Sequence, residues 1–455
     1  MGRVPKALLA ISIAQMLASP ALARPMDEEL RNLMVEHPLL KSTRLSVQSS
    51  DRSRAAARAG YYPRINLSAD AGRESIKTQS YSNGNITPAI ETELNRRKAG
   101  LVVEQNLYAG GRTDAAVAAA GVDVQLQDSN LQSTTQDVLL EGVTAYVQMA
   151  RYLTLASLAR RNEETTQQQL DLENTRVERG GGIAVDAMAA RVRLQLVKER
   201  RVFYAQGLRE AVANYQQVFG REPDVSRLQQ VGIFYDRIPK TLDEALAQAR
   251  ELSPRAKEAV LQSQKAQAQA RVERAAYMPS VDLVAAQLKD VNANALARRD
   301  ESSLLLRVTW PLFSGFETQN RVAAANANHQ ALVEREAAVN NRLAESVRVA
   351  WNQLTNGRER EELLEGAAAI SYDVMQSRKR LRDAGRETVI FVLDAEVEYY
   401  GALSNRINAM HDSVLASYRL LAAMGALTPA TLGLENGSFA LPLKPFNPDA
   451  AAILR

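Results

Sequence analysis

Two kinds of hydrophobic pattern succeed one another along the chain. Residues 64–73 alternate, with Ile65, Leu67, Ala69 and Ala71 on one side and Arg64, Asn66, Ser68 and Asp70 on the other. Period two with unlike faces predicts a strand. Residues 98–108 set Leu101, Val103 and Leu107 against Lys98, Glu104 and Asn106, and 280–289 and 302–313 repeat the pattern less cleanly. The segments between, 74–97 and 290–301, read as hairpin loops in water. From 112 to 179 only Gly121 and Gly142 interrupt a helical composition, and 317–384 has the same 68 residues. At 1.5 Å per residue each span predicts a helix of about 100 Å. Return helices at about 183–219 and 388–424 are roughly half as long. Another helix precedes the first strand and stops at Pro63.

The chain matches itself. At an offset of 216 residues, Met26-Asp27-Glu28-Glu29-Leu30 faces Leu242-Asp243-Glu244-Ala245-Leu246, and His37-Pro38 faces Ser253-Pro254. At an offset of 205, Leu107-Tyr108-Ala109-Gly110 faces Leu312-Phe313-Ser314-Gly315, Gly180 faces Gly385, and Gly220 faces Gly425. The sequence therefore predicts a first repeat at 24–225, a linker at 226–241, a second repeat at 242–428 and an irregular tail at 429–455. The fold class expected is mainly α with a small β part, built on a duplicated helix-strand-strand-helix-helix unit.

Composition adds the compartment. Arg3 and Lys6, an apolar stretch from 7 to 18 and Ala21-Leu22-Ala23 predict a signal peptide over 1–23. No cysteine occurs, so neither a disulfide nor a lipid-accepting thiol is available. Without residues 1–23 the balance is 54 basic against 52 acidic residues, which gives a nucleic-acid partner no support. No run of eighteen apolar residues follows the signal, so entry into a membrane must be by strands. Outer-membrane barrels need at least about eight strands to remove every edge, and four per chain therefore require several chains.

The doubled plan, Tyr61-Tyr62-Pro63 before a strand, Leu312-Phe313-Ser314-Gly315 after one, and the segment from Gly385 to Glu396 together resemble the TolC family of outer-membrane efflux proteins. The resemblance covers 26 to about 428. It implies a homotrimer with a twelve-stranded barrel in outer-membrane lipid, continuous with a long periplasmic helical barrel. It also implies a periplasmic adaptor and an inner-membrane exporter as partners, and no cofactor.

Candidate site residues follow. Gly180, Gly181, Gly182, Gly385 and Arg386 fall where the long helices reverse, and the resemblance makes them adaptor-contacting tips; the alternative is simple helix stops. Asp186 and Asp394 match acidic positions of the family's periplasmic aperture, where threefold symmetry would make carboxylate rings; equally, they suit the positive ends of helices. Phe391 and Glu387 depart from some relatives at that aperture. Tyr61, Tyr62, Tyr108, Tyr277, Trp310, Phe313 and Phe316 lie where strands meet helices, either as a membrane-interface girdle or as plugs of the junction. His37, His329 and His411 are scattered, no catalytic or metal motif occurs, and an enzyme is not expected. The function expected is the exit duct of type I protein secretion with an ABC exporter; the alternatives are a small-molecule or metal efflux channel and, remotely, a soluble periplasmic coiled-coil scaffold.

Overall fold

The computed structural model describes residues 26–79, 81–82, 85–86, 88–224, 228–293, 296–434 and 443–445. The expected signal peptide lies outside the described residues.

Both repeats are visible as matched elements. In the first, α1 (Met26–Glu36) and α2 (Pro38–Arg58) lead into strands β1 (Arg64–Thr78) and β2 (Ile90–Tyr108), then α3 (Arg112–Glu178) and α4 (Ala184–Phe219). In the second, α5 (Leu242–Leu252) and α6 (Pro254–Arg274) lead into β3 (Ser280–Ala293) and β4 (Leu296–Thr309), then α7 (Glu317–Asp383) and α8 (Val389–Ala423). α3 and α7 are each 67 residues long, about 100 Å at the α-helical rise. Proline opens α2 and α6, where its missing N–H costs nothing. Ser253 caps α6 by accepting from the Ala256 N–H at 3.4 Å.

The four long strands form one antiparallel sheet in the order β1-β2-β3-β4, with β1 and β4 as open edges. All four strands reach further into the expected loops than the alternation suggests. β1 continues past residue 73 to Thr78, β2 begins at Ile90 rather than 98, and β3 continues past 289 to Ala293. There the ladder is reinforced by cross-strand ion pairs, Arg73 with Glu93 and Lys77 with Glu91. β4 is displaced, starting at Leu296 and ending at Thr309 instead of spanning 302–313. Pro311 lacks the N–H needed to extend it.

The main core gathers at mid-length of α3. Val138, Leu139, Val143, Tyr146 and Met149 pack with Leu30 and Leu33 of α1, Tyr215 of α4, Val347 of α7 and Leu415, Tyr418 and Leu421 of α8. The linker joins this core through Leu228, Val231 and Phe234, and the Tyr146 hydroxyl accepts from the Gln229 N–H at 2.7 Å. The tail is not simply irregular. Leu432 and Leu434 enter the same core, and Leu443–Pro445 pairs antiparallel with Gln229–Val231. His411 is buried, with Nδ1 2.8 Å from the Ile407 carbonyl oxygen; burial lowers its pKa to about 4 and keeps the ring neutral. No group of side chains suited to a metal ion occurs among the described residues.

Candidate functional site

The sheet has a charged face and an uncharged face. Along β2 from Glu91 to Leu101, odd-numbered residues are exposed and even-numbered ones shielded, so the sheet curves with the even side inward. The ladder register carries that distinction across all four strands. Outward lie Ile65, Leu67, Ala69 and Ala71; Ala99, Leu101 and Val103; Leu283, Ala285 and Gln287; Ser302, Leu304, Leu306 and Val308. Over the same span the inward face carries Asp70, Lys98, Glu104, Asp282, Glu301 and Arg307. Asn106 donates to Asp282 at 2.6 Å, and Arg307 lies 3.8 Å from Glu104.

The uncharged outer face is bounded at both ends. Its first charged residues are Arg73 on β1, Arg97 on β2, Lys289 on β3 and Asp300 on β4. Tyr62, Tyr108 and Met278 stand 11 residues from the first three, and Trp310 stands 10 from the fourth. Eleven residues span about 36 Å of strand. The charged boundary also slants: Arg97 faces Ala71, two residues below Arg73, while Lys289 and Asp300 share the row of Ala99 and Ala69. That is about 13 Å along the strands over about 14 Å across them, an incline near 40°. Transmembrane barrel strands tilt by this amount, and the uncharged layer is then about 28 Å deep, close to an outer-membrane hydrocarbon band.

The expected aromatics occupy one end of the sheet and are exposed. They include Tyr61, Tyr62 and Tyr277, with Tyr108 at the end of β2 and Trp310, Phe313 and Phe316 after β4. Trp310 Nε1 donates to the Tyr277 carbonyl at 3.1 Å, and Phe313 and Phe316 meet edge to face at 5.5 Å.

At the opposite end, α3 and α7 stop in the same manner. Gly180 and Gly385 adopt φ of 75° and 70°, the left-handed conformation that glycine permits. The Gly180 N–H donates to Val177 and the Gly181 N–H to Arg176; in the second repeat Gly385 donates to Arg382 and Arg386 to Leu381. This pairing closes a helix and satisfies its last carbonyls. Gly182 lies against Val177, where a β-carbon would meet Val177 Cγ2 at 2.9 Å. Gly180, Gly181, Gly385 and Arg386 all face outward at these tips.

Behind the tips the carboxylates carry counter-ions. Asp394 is paired with Arg193, joining α8 to α4. Glu387 is paired with Arg378, whose guanidinium also lies 5.4 Å from the centre of the half-exposed Phe391 ring. Asp186 is shielded in the first turn of α4. Arg382 reaches from α7 to Gln169 on α3, and Lys379 lies 2.8 Å from the buried Glu396. The structure thus brings Asp186, Glu387, Phe391 and Asp394 to one end of the helices and adds a basic set missing from the sequence reading.

The model of outer membrane efflux proteins matches residues 30–221 and again 245–426. The chain belongs to that family. The two matched segments coincide with the two structural repeats. Outer membrane efflux protein BepC of Brucella suis is 25% identical over 399 residues, covering 87% of this chain and 84% of the relative. Alkaline protease secretion protein AprF of Pseudomonas aeruginosa is 26% identical over 403 residues, covering 85% and 81%. The solved outer membrane protein VceC of Vibrio cholerae shares the fold with a TM-score of 0.76 at 14% identity, covering 88% of this chain and 96% of that one.

Two sets of residues escaped the sequence reading of this family member. The outward charges Arg73, Arg97, Lys289 and Asp300 lay in, or at the border of, segments taken for loops, and only the register shows that they share a face. Their signal was present as the first charge on the otherwise uncharged parity. Arg193 and Arg378 had no local signal, because nothing in a helical charge pattern selects which arginine meets which carboxylate.

Proposed function

We propose that three copies of this chain form an outer-membrane exit duct that serves a tripartite export system, most directly type I protein secretion. The observation that carries the membrane part is the bounded outer face: about 28 Å without a charge, crossed at the tilt of a barrel strand, over an inner face that carries Asp70, Lys98, Glu104, Asp282, Glu301 and Arg307 in the same span. The open edges of β1 and β4 support closure between chains, since an unpaired edge is costly in hydrocarbon. Three chains supply twelve strands.

The helices support the same assembly. Twenty-two residues of α3 are buried but only six of α7, which has the same length. α7 leaves Leu363, Ile370, Val374 and Leu381 exposed, and α4 leaves Val185, Met188, Val192 and Leu196 exposed. Both sets recur at three, four or seven residues, the spacing of a seam between helices. These stripes are the contacts between neighbouring chains in the duct, whose long helices extend into the periplasm.

The tips at Gly180–Gly182 and Gly385–Arg386 meet a periplasmic adaptor, and an inner-membrane ABC exporter supplies the energy. Asp186 and the Arg193–Asp394 pair lie at the closed aperture. Secretion is favoured by the likeness to AprF, named for alkaline protease secretion, and by the absence of a lipid-accepting cysteine. A small-molecule efflux role is the second reading, favoured by the likeness to BepC.

Deleting the gene and comparing external proteins by mass spectrometry, with lysis matched, separates them. Type I secretion predicts that one large protein disappears outside and is retained inside. An unchanged external proteome together with raised sensitivity to toxic small molecules would replace secretion by efflux.

A further inference from the structure

We infer that Arg97 and Lys289 on the outward face of the sheet bind a phosphate-bearing lipid headgroup at the margin of the membrane. This rests on the outer-membrane reading above and goes further, because it assigns a ligand to particular side chains.

The cations of the outer face are not equivalent. Arg73 is held by Glu93, Lys77 lies 3.4 Å from Glu91, and Arg298 lies 2.8 Å from Asp300. Arg97 and Lys289 have no ion-pair partner among the described residues, and both are exposed. They are also neighbours. Arg97 faces Val291 and Lys289 faces Ala99, so the two stand on adjacent strands, on one face and two residues apart in register. Such diagonal positions are about 7–8 Å apart at most, within joint reach of one headgroup for two long side chains.

Depth selects the ligand. Arg97 and Lys289 are the first outward charges beyond the uncharged layer, the level at which hydrocarbon gives way to headgroups. Arg97, Lys289, Arg298 and Asp300 contribute three positive charges and one negative, a local net of +2 per chain. The inward face at the same level is balanced differently. There Arg96, Lys98 and Arg299 are accompanied by Asp70, Glu74, Asp290 and Glu301, and Arg96 Nη2 lies 2.9 Å from Asp290. Outside, the one acid at this level, Asp300, faces Lys289 across the ladder but lies 2.8 Å from Arg298, so the outer cations outnumber the acids and a lipid phosphate can meet the excess. On the β1 and β2 side the neighbouring outward positions are Ala69, Ala71 and Ala99, small side chains that leave the guanidinium and ammonium groups accessible, while Val291 faces Arg97 and Asp300 faces Lys289 on the other side. A guanidinium supplies paired donors to phosphate and the ammonium adds a compact charge.

The test is native mass spectrometry of the intact, delipidated assembly with diphosphorylated lipid A as probe. The comparisons are the same lipid with its phosphates removed, inorganic phosphate as competitor, and two double variants. Arg97→Gln with Lys289→Gln should bind diphosphorylated lipid A roughly tenfold more weakly than the unmodified assembly. Lys98→Gln with Arg299→Gln, at the same depth on the inner face, should bind as the unmodified protein does. On the unmodified protein, the lipid with its phosphates removed should bind roughly tenfold more weakly than diphosphorylated lipid A, and this arm needs no variant to fold. Equal binding of phosphate-free lipid, or undiminished binding by the outward variant, overturns the inference. Full competition by millimolar inorganic phosphate would also overturn it, because the site would then recognise the free anion. Planar-bilayer recording of the same preparation separates the two levels: channels without selective lipid binding remove only this inference, whereas absence of channels removes the outer-membrane reading beneath it.

Discussion

At the scale of single residues, the tip of the helices depends on which charges find partners. Arg193 and Asp394 are about one-third and one-half exposed, so their pair is worth about 0.2–1 kcal/mol. That is small for a fold and appropriate for a gate. In the proposed aperture, removing it would shift the ratio of open to closed tips by up to about fivefold per chain, and three chains would compound the change. Arg193→Ala and Asp394→Ala should therefore each raise single-channel conductance in a planar bilayer, and the exchange Arg193→Asp with Asp394→Arg should restore it. Conductance unchanged in both single variants would show that the pair does not hold the aperture. Asp394 was legible in the sequence as an acidic position near a helix turn. Its partner was not, because 201 residues separate the two and only the packing of α4 on α8 unites them.

Elements make the membrane argument, because a face exists only once a strand has a register. Leu67 stands midway between Tyr62 and Arg73 on the outward side of β1, and Ser68 follows it on the inward side. Arginine at the bilayer midplane costs about 2–4 kcal/mol on the lipid face of a barrel. Leu67→Arg should lose that much stability in folding titrations into lipid vesicles, while Ser68→Arg should lose little. Equal losses would mean that the two faces have been assigned wrongly. The centres of the strands were readable from alternation, and the long helices were readable to within a residue or two. Strand ends were not. Beyond Arg73 both faces of the hairpin are polar, so residues such as Ser75, Lys77 and Glu91 resemble a loop until the ladder pairs them. At β4 the aromatic run Trp310 to Phe313 resembled strand, yet Pro311 ends the ladder. In the tail, Leu443–Pro445 had no local signal either, because its partners stand more than two hundred positions earlier.

The whole molecule is incomplete as a single chain. Its sheet has two open edges, its second long helix lacks cover, and its outer face suits lipid. One threefold arrangement resolves all three. In the trimer proposed above, β1 of each chain would pair with β4 of the next, the stripes of α4 and α7 would meet, and the uncharged face would surround the barrel. In that trimer the doubled sequence would let six repeats build a nearly sixfold wall from three chains, with α3 and α7 in equivalent positions. The absence of native cysteine makes closure directly measurable. Ser68→Cys on β1, combined in turn with cysteine at each inward position of β4 (Arg299, Glu301, Ser303, Leu305 and Arg307), samples the unknown register between chains. The account predicts that at least one combination, oxidised in native membranes, gives a covalent ladder of one, two and three chains and nothing larger. No cross-link in any combination, or a ladder continuing past three, would contradict a barrel closed by three copies.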